Sequence, residues 1–242
     1  MNEMHIRSSA MTHPGTKRGH NEDAYVDRPD LGLWAVADGA GGHHAGEVAS
    51  GMIREALESI PSELSASELL AEVRLRVGRT HETLREMASG RGPGVVIAST
   101  IVAVLVRNEH FACLWAGDSR AYLLRGGVLK QISRDHSLVQ EMVDGGMLTP
   151  EQAEKHPRAN VITRAVGADL DDFEMEKVSD RLQPGDRLLL CSDGLCKTLS
   201  DDAMTELLGG ETLVPPPNSL VTAALQMNAT DNVTAVALEV LG

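Results

Sequence analysis

Residues 95–124 read VVIASTIVAVLVRNEHFACLWAGDSRAYLL, and this stretch decides the fold. Two long apolar runs flank a polar break at residues 107–109, which predicts a hairpin between strands Val95–Val106 and His110–Ala116. Strands that are apolar on both faces indicate a sheet that is covered on both sides. A second sheet or a layer of helices would provide that cover.

Outward from this hairpin, strands and helices come in separate runs. Further strands are predicted at Leu31–Ala37, Ala121–Arg125, Arg187–Cys191 and Val233–Val240. Apolar residues at helical spacing predict helices at Ala45–Ile60, Ser67–Met87, Leu138–Asp144, Pro150–Lys155, Asp201–Leu208 and Ser219–Met227. This pattern favours an α+β fold with antiparallel sheets. We expect Pro215–Pro217 to form a loop between helices, and the whole chain, residues 1–242, to be a single domain.

Composition excludes several classes of function. The 242 residues carry 22 Lys and Arg against 35 Asp and Glu, a net charge of −13, and only two each of Phe, Trp and Tyr. An acidic chain with few aromatic rings is a poor binder of nucleic acids and membrane surfaces. The longest central apolar run, Ile101–Val106, is far shorter than the ~20 residues that span a bilayer. The start of the sequence has no secretion signal, and Cys113, Cys191 and Cys196 are an odd number without a CxxC pair, so we expect a cytoplasmic protein with reduced thiols.

Four aspartates stand at the ends of predicted strands. Asp38, Asp118 and Asp193 follow apolar strands, and Asp231 precedes one. Each alone is typical of a turn. If the strands lie side by side, however, the four carboxylates converge on one rim, where they cannot all stay ionised without a cation. Oxygen-only ligands favour Mg²⁺ or Mn²⁺ over Zn²⁺.

A phosphate substrate would need local positive charge in so acidic a protein. Arg18 lies four residues before Glu22, and its planar guanidinium matches phosphate in a bidentate manner. The alternative is that Arg18 is an ordinary exposed side chain.

These residues belong to nine ordered blocks between positions 15 and 234. The blocks are Gly15-x-x-Arg18-x-x-Asn21-Glu22-Asp23-Ala24, Val36-Ala37-Asp38-Gly39-Ala40-Gly41-Gly42-His43, Ala45-Gly46-Glu47-x-Ala49-Ser50, Ser99-Thr100, Ala116-Gly117-Asp118-Ser119-Arg120-x-Tyr122, Asp135-His136-Ser137-Leu138-Val139, Asn160-x-Ile162-Thr163-Arg164-Ala165-x-Gly167, Leu190-Cys191-Ser192-Asp193-Gly194-Leu195 and Asp231-Asn232-Val233-Thr234. Together they resemble the metal-dependent Ser/Thr protein phosphatases of the PP2C (PPM) type, in their short bacterial form.

The resemblance implies a fold and a metal centre. The fold is a four-layer α/β/β/α sandwich with two central antiparallel sheets. The implied centre binds two Mn²⁺ or Mg²⁺ ions tightly and a third ion more weakly. By this resemblance, Asp38 would bridge the first two ions, the Gly39 carbonyl would bind the first, Asp193 and Asp231 would bind the second, and Glu22 would bind through water. Asp118 would bind the third ion together with Asp193, and Asp23 and Asn232 would have supporting positions.

The implied activity is hydrolysis of phosphoserine and phosphothreonine in proteins, through attack of a hydroxide that bridges the metals. Arg18 and Asp38 are the implied catalytic residues, with Arg18 holding the substrate phosphate. The implied partners are phosphorylated proteins, including a cognate Ser/Thr kinase and its substrates, and we expect a monomer. Two alternatives stay open: a catalytically silent module that binds phosphoproteins, and a hydrolase of small phosphate esters.

The sequence departs from the family at position 40. Ala40 stands where eukaryotic members carry a histidine proposed as general acid, which leaves the proton donor unassigned. His43 and His44 are nearby candidates, or simply a polar entry to the following helix. The segment Gly145–Arg164 would form a variable flap beside the site, either as a solvated surface or in substrate selection.

Overall fold

Two antiparallel sheets form the centre of the molecule. The computed structural model describes residues 5–42, 44–169, 173–210 and 216–241. The strands are β1 (His5–His13), β2 (Asp23–Arg28), β3 (Leu33–Ala40), β4 (Ala98–Ser99), β5 (Ile101–Arg107), β6 (His110–Ala116), β7 (Arg120–Arg125), β8 (Val128–Gln131), β9 (Glu176–Arg181), β10 (Arg187–Cys191) and β11 (Val233–Leu241). One sheet has the order β1-β11-β10-β7-β8, and the other has the order β2-β3-β5-β6-β9 with β4 paired to β3.

Helices cover the outer face of each sheet. They are α1 (Ala45–Glu58), α2 (Ala66–Arg91), α3 (Leu138–Asp144), α4 (Pro150–Glu154), α5 (Asp193–Cys196), α6 (Asp201–Gly209) and α7 (Pro216–Gln226). The longest helix, α2, begins at a capping box in which Ser65 and Glu68 each bind the backbone N–H of the other. Within the described residues, no helix is both long and apolar enough to cross a bilayer.

Alternation along the central strands separates the apolar residues into layers. On β5, Val102 and Val104 pack between the two sheets, whereas Ala103 points to the core beneath α1 and α2. On β10, Leu190 faces the other sheet and Leu189 faces the helices on the opposite side. Three apolar layers thus lie between four layers of structure. The predicted α/β/β/α sandwich with two antiparallel sheets is confirmed.

Several predicted boundaries were wrong. Val95–Val106 is not one strand, because β4 ends at Ser99 and β5 begins at Ile101, on either side of Thr100. Pro216 and Pro217 form the first turn of α7 rather than a loop, since proline is tolerated where a helix N–H needs no partner. Pro215 lies outside the described residues.

The three cysteines are free. Cys113 and Cys191 are buried, and Cys196 is partly exposed. Burial raises the pKa of the Cys113 thiol to about 12, so this thiol stays protonated at neutral pH and packs as an apolar side chain.

Candidate metal centre

The register of the strands brings the aspartates to one end of the sandwich. Asp23 on β2 pairs directly with Asp38 on β3. Asp118 lies in the turn from β6 to β7, Asp193 begins α5 immediately after β10, and Asp231 precedes β11. Within each sheet the neighbouring strands are antiparallel, so the start of one and the end of the next meet at the same edge. Hydrogen bonds from Ser192 and Thr234 to Asp23 join these edges of the two sheets.

Asp38 has its backbone fixed from the adjacent strand. Its N–H donates to Thr100 Oγ1 (3.1 Å), and its carbonyl accepts from the Thr100 N–H (2.8 Å). Thr100 Oγ1 lies 2.6 Å from Ser119 Oγ, in the turn that carries Asp118. Burial raises the pKa of Asp38 well above its usual range, and the negative charges around it, of which Asp23 is the strongest contributor, raise it further. In the absence of a cation, this carboxyl group therefore binds a proton more strongly than an ordinary aspartate does.

Asp23 links the two sheets beneath Asp38. Its Oδ2 accepts hydrogen bonds from Ser192 Oγ (2.7 Å), directly after β10, and from Thr234 Oγ1 (2.6 Å), on β11 of the opposite sheet. Burial raises the pKa of Asp23 to about 7, against the opposing effect of these two hydroxyls. Its Oδ1 is buried without a hydrogen-bond partner. Asp23 thus both supports the site and adds to its negative charge.

Glu22 and the carbonyl of Gly39 point to one spot beside Gly46, near the start of α1. A Cβ on Gly46 would lie 2.7 Å from the Gly39 carbonyl oxygen and 2.8 Å from the Glu22 carboxyl carbon. The space next to Gly46 is thus filled by two oxygen-bearing groups predicted as metal ligands. Gly46 belongs to one of the nine sequence blocks, but the sequence alone indicated no role for it.

Asn232 holds the segment 14–22 against β11. Its Nδ2 donates to the carbonyls of Pro14 and His20 (both 2.9 Å), and its Oδ1 accepts from the Glu22 N–H (2.8 Å). All the hydrogen-bonding groups of this amide are therefore used to position one segment. That segment carries both Arg18 and Glu22, so Asn232 has a geometry that suits the supporting role predicted for it.

Arg18 lies above the acids and is exposed to solvent. Its guanidinium donates to Asp231 Oδ2 at 2.8 Å, with 55% of the Arg18 side chain and 43% of the Asp231 side chain exposed. The hydrogen bond and charge of Asp231 raise the pKa of Arg18, and Glu22 and Asp38 contribute to the same effect. Arg18 is therefore an accessible cation at the rim of the acidic cluster.

Lys197 is a second cation at the site, and sequence reasoning missed it. Its Nζ donates to Asp193 Oδ2 (2.7 Å), Asp118 Oδ2 (3.1 Å) and Asn160 Oδ1 (3.0 Å). Burial raises the pKa of Asp118, as does the charge of Asp193, whereas Lys197 lowers it. The only hint in the sequence was the spacing, because a lysine four residues after Asp193 faces it across one helical turn.

Of the two histidines that follow Ala40, the described one contacts another histidine. Ala40 is exposed at the end of β3, and His44 precedes α1 in a left-handed conformation with φ of 62°. The His44 ring makes an edge-on contact with His20, with ring centroids 4.3 Å apart. His43 lies outside the described residues.

The site has the right donors for a hard divalent cation, although these donors do not converge on a single point. Within the described part of the chain, no three acidic, histidine or cysteine side chains form a ready ligand set for one ion. Arg18 and Lys197 explain this spacing, because between them they bind three of the aspartates. The donors are all oxygens, and Oδ1 of both Asp23 and Asp118 is buried without a partner. A cluster of oxygen donors with more negative charge than the two side-chain cations offset is suited to Mg²⁺ or Mn²⁺.

Comparison with known proteins agrees with this geometry. A family model described as protein phosphatase 2C matches residues 16–225. The chain belongs to the protein phosphatase 2C family. The resemblance that the sequence blocks indicated is thus confirmed.

Three relatives illustrate the match. The structure of PppA, titled a key regulatory component of T6SS in Pseudomonas aeruginosa, shares 42% identity and a TM-score of 0.90 with this PP2C chain, covering 98% of each. The serine/threonine protein phosphatase PstP of Mycobacterium tuberculosis is 34% identical over 98% of this chain, which spans only 45% of PstP. A structure of a PstP catalytic domain with two manganese ions shares 33% identity and a TM-score of 0.87, covering 99% of this chain and 100% of that domain.

Proposed function

We propose that this chain is a protein Ser/Thr phosphatase that hydrolyses phosphoserine and phosphothreonine in proteins with Mn²⁺ or Mg²⁺ as cofactor. The observation that carries the proposal is the cluster of oxygen donors with surplus negative charge, lying beneath the exposed guanidinium of Arg18. Two comparisons with proteins named PstP support it: one is named a serine/threonine protein phosphatase, and a PstP catalytic domain has been solved with two manganese ions.

Within this proposal, the Gly39 carbonyl and Glu22 would hold one ion from the side of α1, and Asp193 and Asp231 would hold another from the other sheet, with Asp38 as a ligand between them. Asp23 and Asn232 hold these ligands in place through their hydrogen bonds. When bound, such a pair of cations supplies a hydroxide at neutral pH and neutralises charge on the phosphate oxygens.

Arg18 has the position of a phosphate-binding residue. A guanidinium can donate two parallel hydrogen bonds to a phosphate group, and it stabilises charge on the transferred group. Arg18 would exchange its contact with the exposed Asp231 for the substrate phosphate. Its high exposure suits a phosphorylated residue on a protein surface rather than a small ester enclosed in a pocket.

A phosphatase assay with a matched metal control tests the proposal. We expect release of phosphate from phosphothreonine peptides with Mn²⁺, and none with excess chelator. Activity with Mn²⁺ that survives Asp193→Asn would contradict the proposed centre. Phosphopeptide binding without turnover would instead support the silent module, an alternative that the presence of every predicted acidic ligand disfavours.

We further propose that the chain acts as a single cytoplasmic domain and as a monomer. The family match over residues 16–225 supports one catalytic unit. The proposed substrates are phosphoproteins, including a cognate Ser/Thr kinase and its targets. Comparing the phosphoproteomes of cells with and without the chain would test this, with an excess of phosphorylated Ser and Thr expected in its absence.

A further inference from the structure

Lys197 makes a set of contacts that the proposed phosphatase mechanism does not use. Its ammonium donates to two acids and one amide from three separate parts of the chain: Asp193 beside β10, Asp118 in the β6–β7 turn, and Asn160 in the segment Gly145–Arg164. The backbone fixes its position, since the Lys197 N–H donates to the Asp193 carbonyl at 2.8 Å. The lysine is therefore directed at these acids by one turn of helix.

Burial makes a cation necessary at this point. The Asp118 side chain is only 3% exposed and that of Asp193 is 20% exposed. Two carboxylates in such surroundings repel each other, and a cation between them offsets that repulsion. The Lys197 ammonium donates a hydrogen bond to both carboxylates and supplies that cation.

The comparison with Arg18 shows why the lysine is a fixed part of the site. An ammonium has three N–H donors, and Lys197 has three acceptors, so its hydrogen-bonding capacity is fully used. Arg18 contacts a single acid and has a more exposed side chain, 55% against 35%. Arg18 can therefore move to a phosphate at little cost, whereas moving Lys197 would break three contacts.

We propose that the Lys197 ammonium permanently fills the cation position between Asp118 and Asp193, so that the chain binds its metal ions around Asp38 and takes no additional ion at Asp118. This inference rests on the proposed metal-dependent function. It replaces the expectation of a third, weaker ion held by Asp118. A divalent cation at this point would lie beside an ammonium that already binds the Oδ2 atoms of both carboxylates, and the two positive charges would repel. Through Asn160, the same lysine joins the flap segment to the acidic cluster.

Counting bound manganese tests the proposal directly. We would dialyse the full chain against saturating Mn²⁺ and measure manganese per chain by elemental analysis. Lys197→Asn should bind one more ion than the wild-type chain, and Lys197→Asn with Asp118→Asn should lose that ion again. Lys130→Asn removes an exposed lysine on β8 and should leave the count unchanged.

The wild-type chain separates failure of the inference from failure of the proposed function. Asp118→Asn alone should leave the manganese count of an otherwise wild-type chain unchanged. A count that falls by one in Asp118→Asn, or that stays constant in Lys197→Asn, would overturn the role of Lys197 while leaving the phosphatase proposal intact. A wild-type chain that binds no manganese would overturn the proposed function itself.

A second measurement needs neither metal nor activity. In the metal-free protein, Lys197→Met should lower Tm by several degrees, because Asp118 and Asp193 would face each other without a cation. Adding Asp118→Asn should restore most of that loss, since it removes the repulsion. An unchanged Tm in Lys197→Met would show that the acids do not depend on the lysine and would overturn the proposal.

Discussion

The central aspartate illustrates how a residue proposed as a metal ligand can be costly to the stability of the metal-free protein. Asp38 is surrounded by protein and by other acids, and this raises its pKa well above the usual range. We therefore expect Asp38→Asn to raise the Tm of the metal-free protein by at least about 3 °C, since roughly 1 kcal/mol corresponds to 2–4 °C in a chain of this size. The same variant should lose manganese binding and about 100-fold or more of its activity. Glu55→Gln, at an exposed position on α1, is the control and should change neither property.

A metal-free Asp38→Asn protein that is less stable than wild type would contradict this account of the site. It would mean that the carboxyl group contributes more through its contacts than it costs through repulsion. Differential scanning calorimetry with chelator, at a pH of about 8 where neighbouring acids are more fully ionised, gives the clearest comparison.

Arg18 should act on substrate rather than on metal. Arg18→Ala removes the guanidinium that we place on the phosphate, and we expect kcat/KM for a phosphopeptide to fall about 10- to 100-fold. Arg18→Lys keeps the charge without the bidentate geometry and should recover only part of the loss. Manganese affinity, measured by calorimetry, should change little, because Arg18 makes no proposed metal contact. A large loss of manganese binding in Arg18→Ala would contradict the assignment.

The stability of the folded chain should depend on pH through His136, and the titration of this single ring can be followed. Burial lowers its pKa; Arg164 also lowers it, whereas Glu176 and Asp135 act in the opposite direction. Its Nδ1 accepts the N–H of Gly117, the residue before Asp118. Because the folded state prefers the neutral ring, the unfolded chain takes up the proton first, and this contribution to stability is lost as pH falls below about 6.5.

Nuclear magnetic resonance can measure this titration. The His136 ring should titrate below the usual histidine pKa, and His136→Gln should reduce the loss of stability between about pH 7 and pH 5.5. A His136 ring that titrates above about 6.5 would contradict the argument. His110, which is exposed on β6, serves as the reference ring in the same spectra.

At the scale of the elements, the packing of α1 against β3 leaves no room for a side chain at Gly46. A methyl group there would meet the Gly39 carbonyl and the Glu22 carboxyl group, both below 3 Å. We expect Gly46→Ala to weaken manganese binding at least about tenfold by displacing these two donors. Gly51→Ala is a matched control on the same helix, because its Cβ would meet nothing within 4 Å. It should stabilise the protein by about 0.5–1 kcal/mol and leave the metal affinity unchanged.

Calorimetry of the two alanine variants distinguishes an effect on the metal site from a general effect on helix α1. If both variants bind manganese like the wild type, the space beside Gly46 is not part of the metal centre. If both lose affinity equally, the effect belongs to the helix as a whole and not to the contact with Glu22.

The elements that the sequence predicted are those whose local pattern agrees with their final surroundings. β6 and β10 were predicted with their observed ends, because each is an apolar run that stops at a turn. β1, β2, β8 and β9 were missed. Their sequences contain many polar residues, and they are strands at the edges of the two sheets, where one side of the strand has no partner. Such strands owe their conformation to the neighbouring strand rather than to their own apolar pattern.

The four aspartates of the site were predictable because each stands at the end of an apolar strand. One such carboxylate is typical of a turn, but four of them indicate a shared site. The contributions of Gly46 and Lys197 were not predictable. Gly46 matters for the side chain it lacks, and Lys197 depends on a contact with Asp118, which is 79 positions away in the sequence. Only the folded arrangement of β6, β10 and α5 shows these roles.

At the scale of the whole molecule, the acidic cluster lies where the two sheets meet. Asp38 belongs to one sheet, whereas Asp193 and Asp231 stand at the ends of strands in the other. Ions held by these residues would join the sheets at one end of the sandwich. Removing the metal with a chelator should therefore lower the Tm of the entire chain in a single transition, rather than loosen one loop.

The size of that metal effect should grow with pH. In the metal-free protein the raised pKa of Asp23, about 7, and the raised pKa of Asp38 mean that the folded state holds more protons than the unfolded chain. Its stability thus falls as pH rises from about 5 to about 8. Metal ions compete with those protons, so manganese should bind more tightly at about pH 8 than at about pH 6, and the rise in Tm on adding Mn²⁺ should be larger at the higher pH.

Thermal unfolding at both pH values, with and without Mn²⁺, measures this difference. Asp38→Asn should reduce the pH dependence of the metal-free protein, since it removes one of the two groups. An equal rise in Tm on adding Mn²⁺ at both pH values in the wild type would mean that the cluster binds its ions without releasing protons. That result would contradict the raised pKa values of acids that lie so close together.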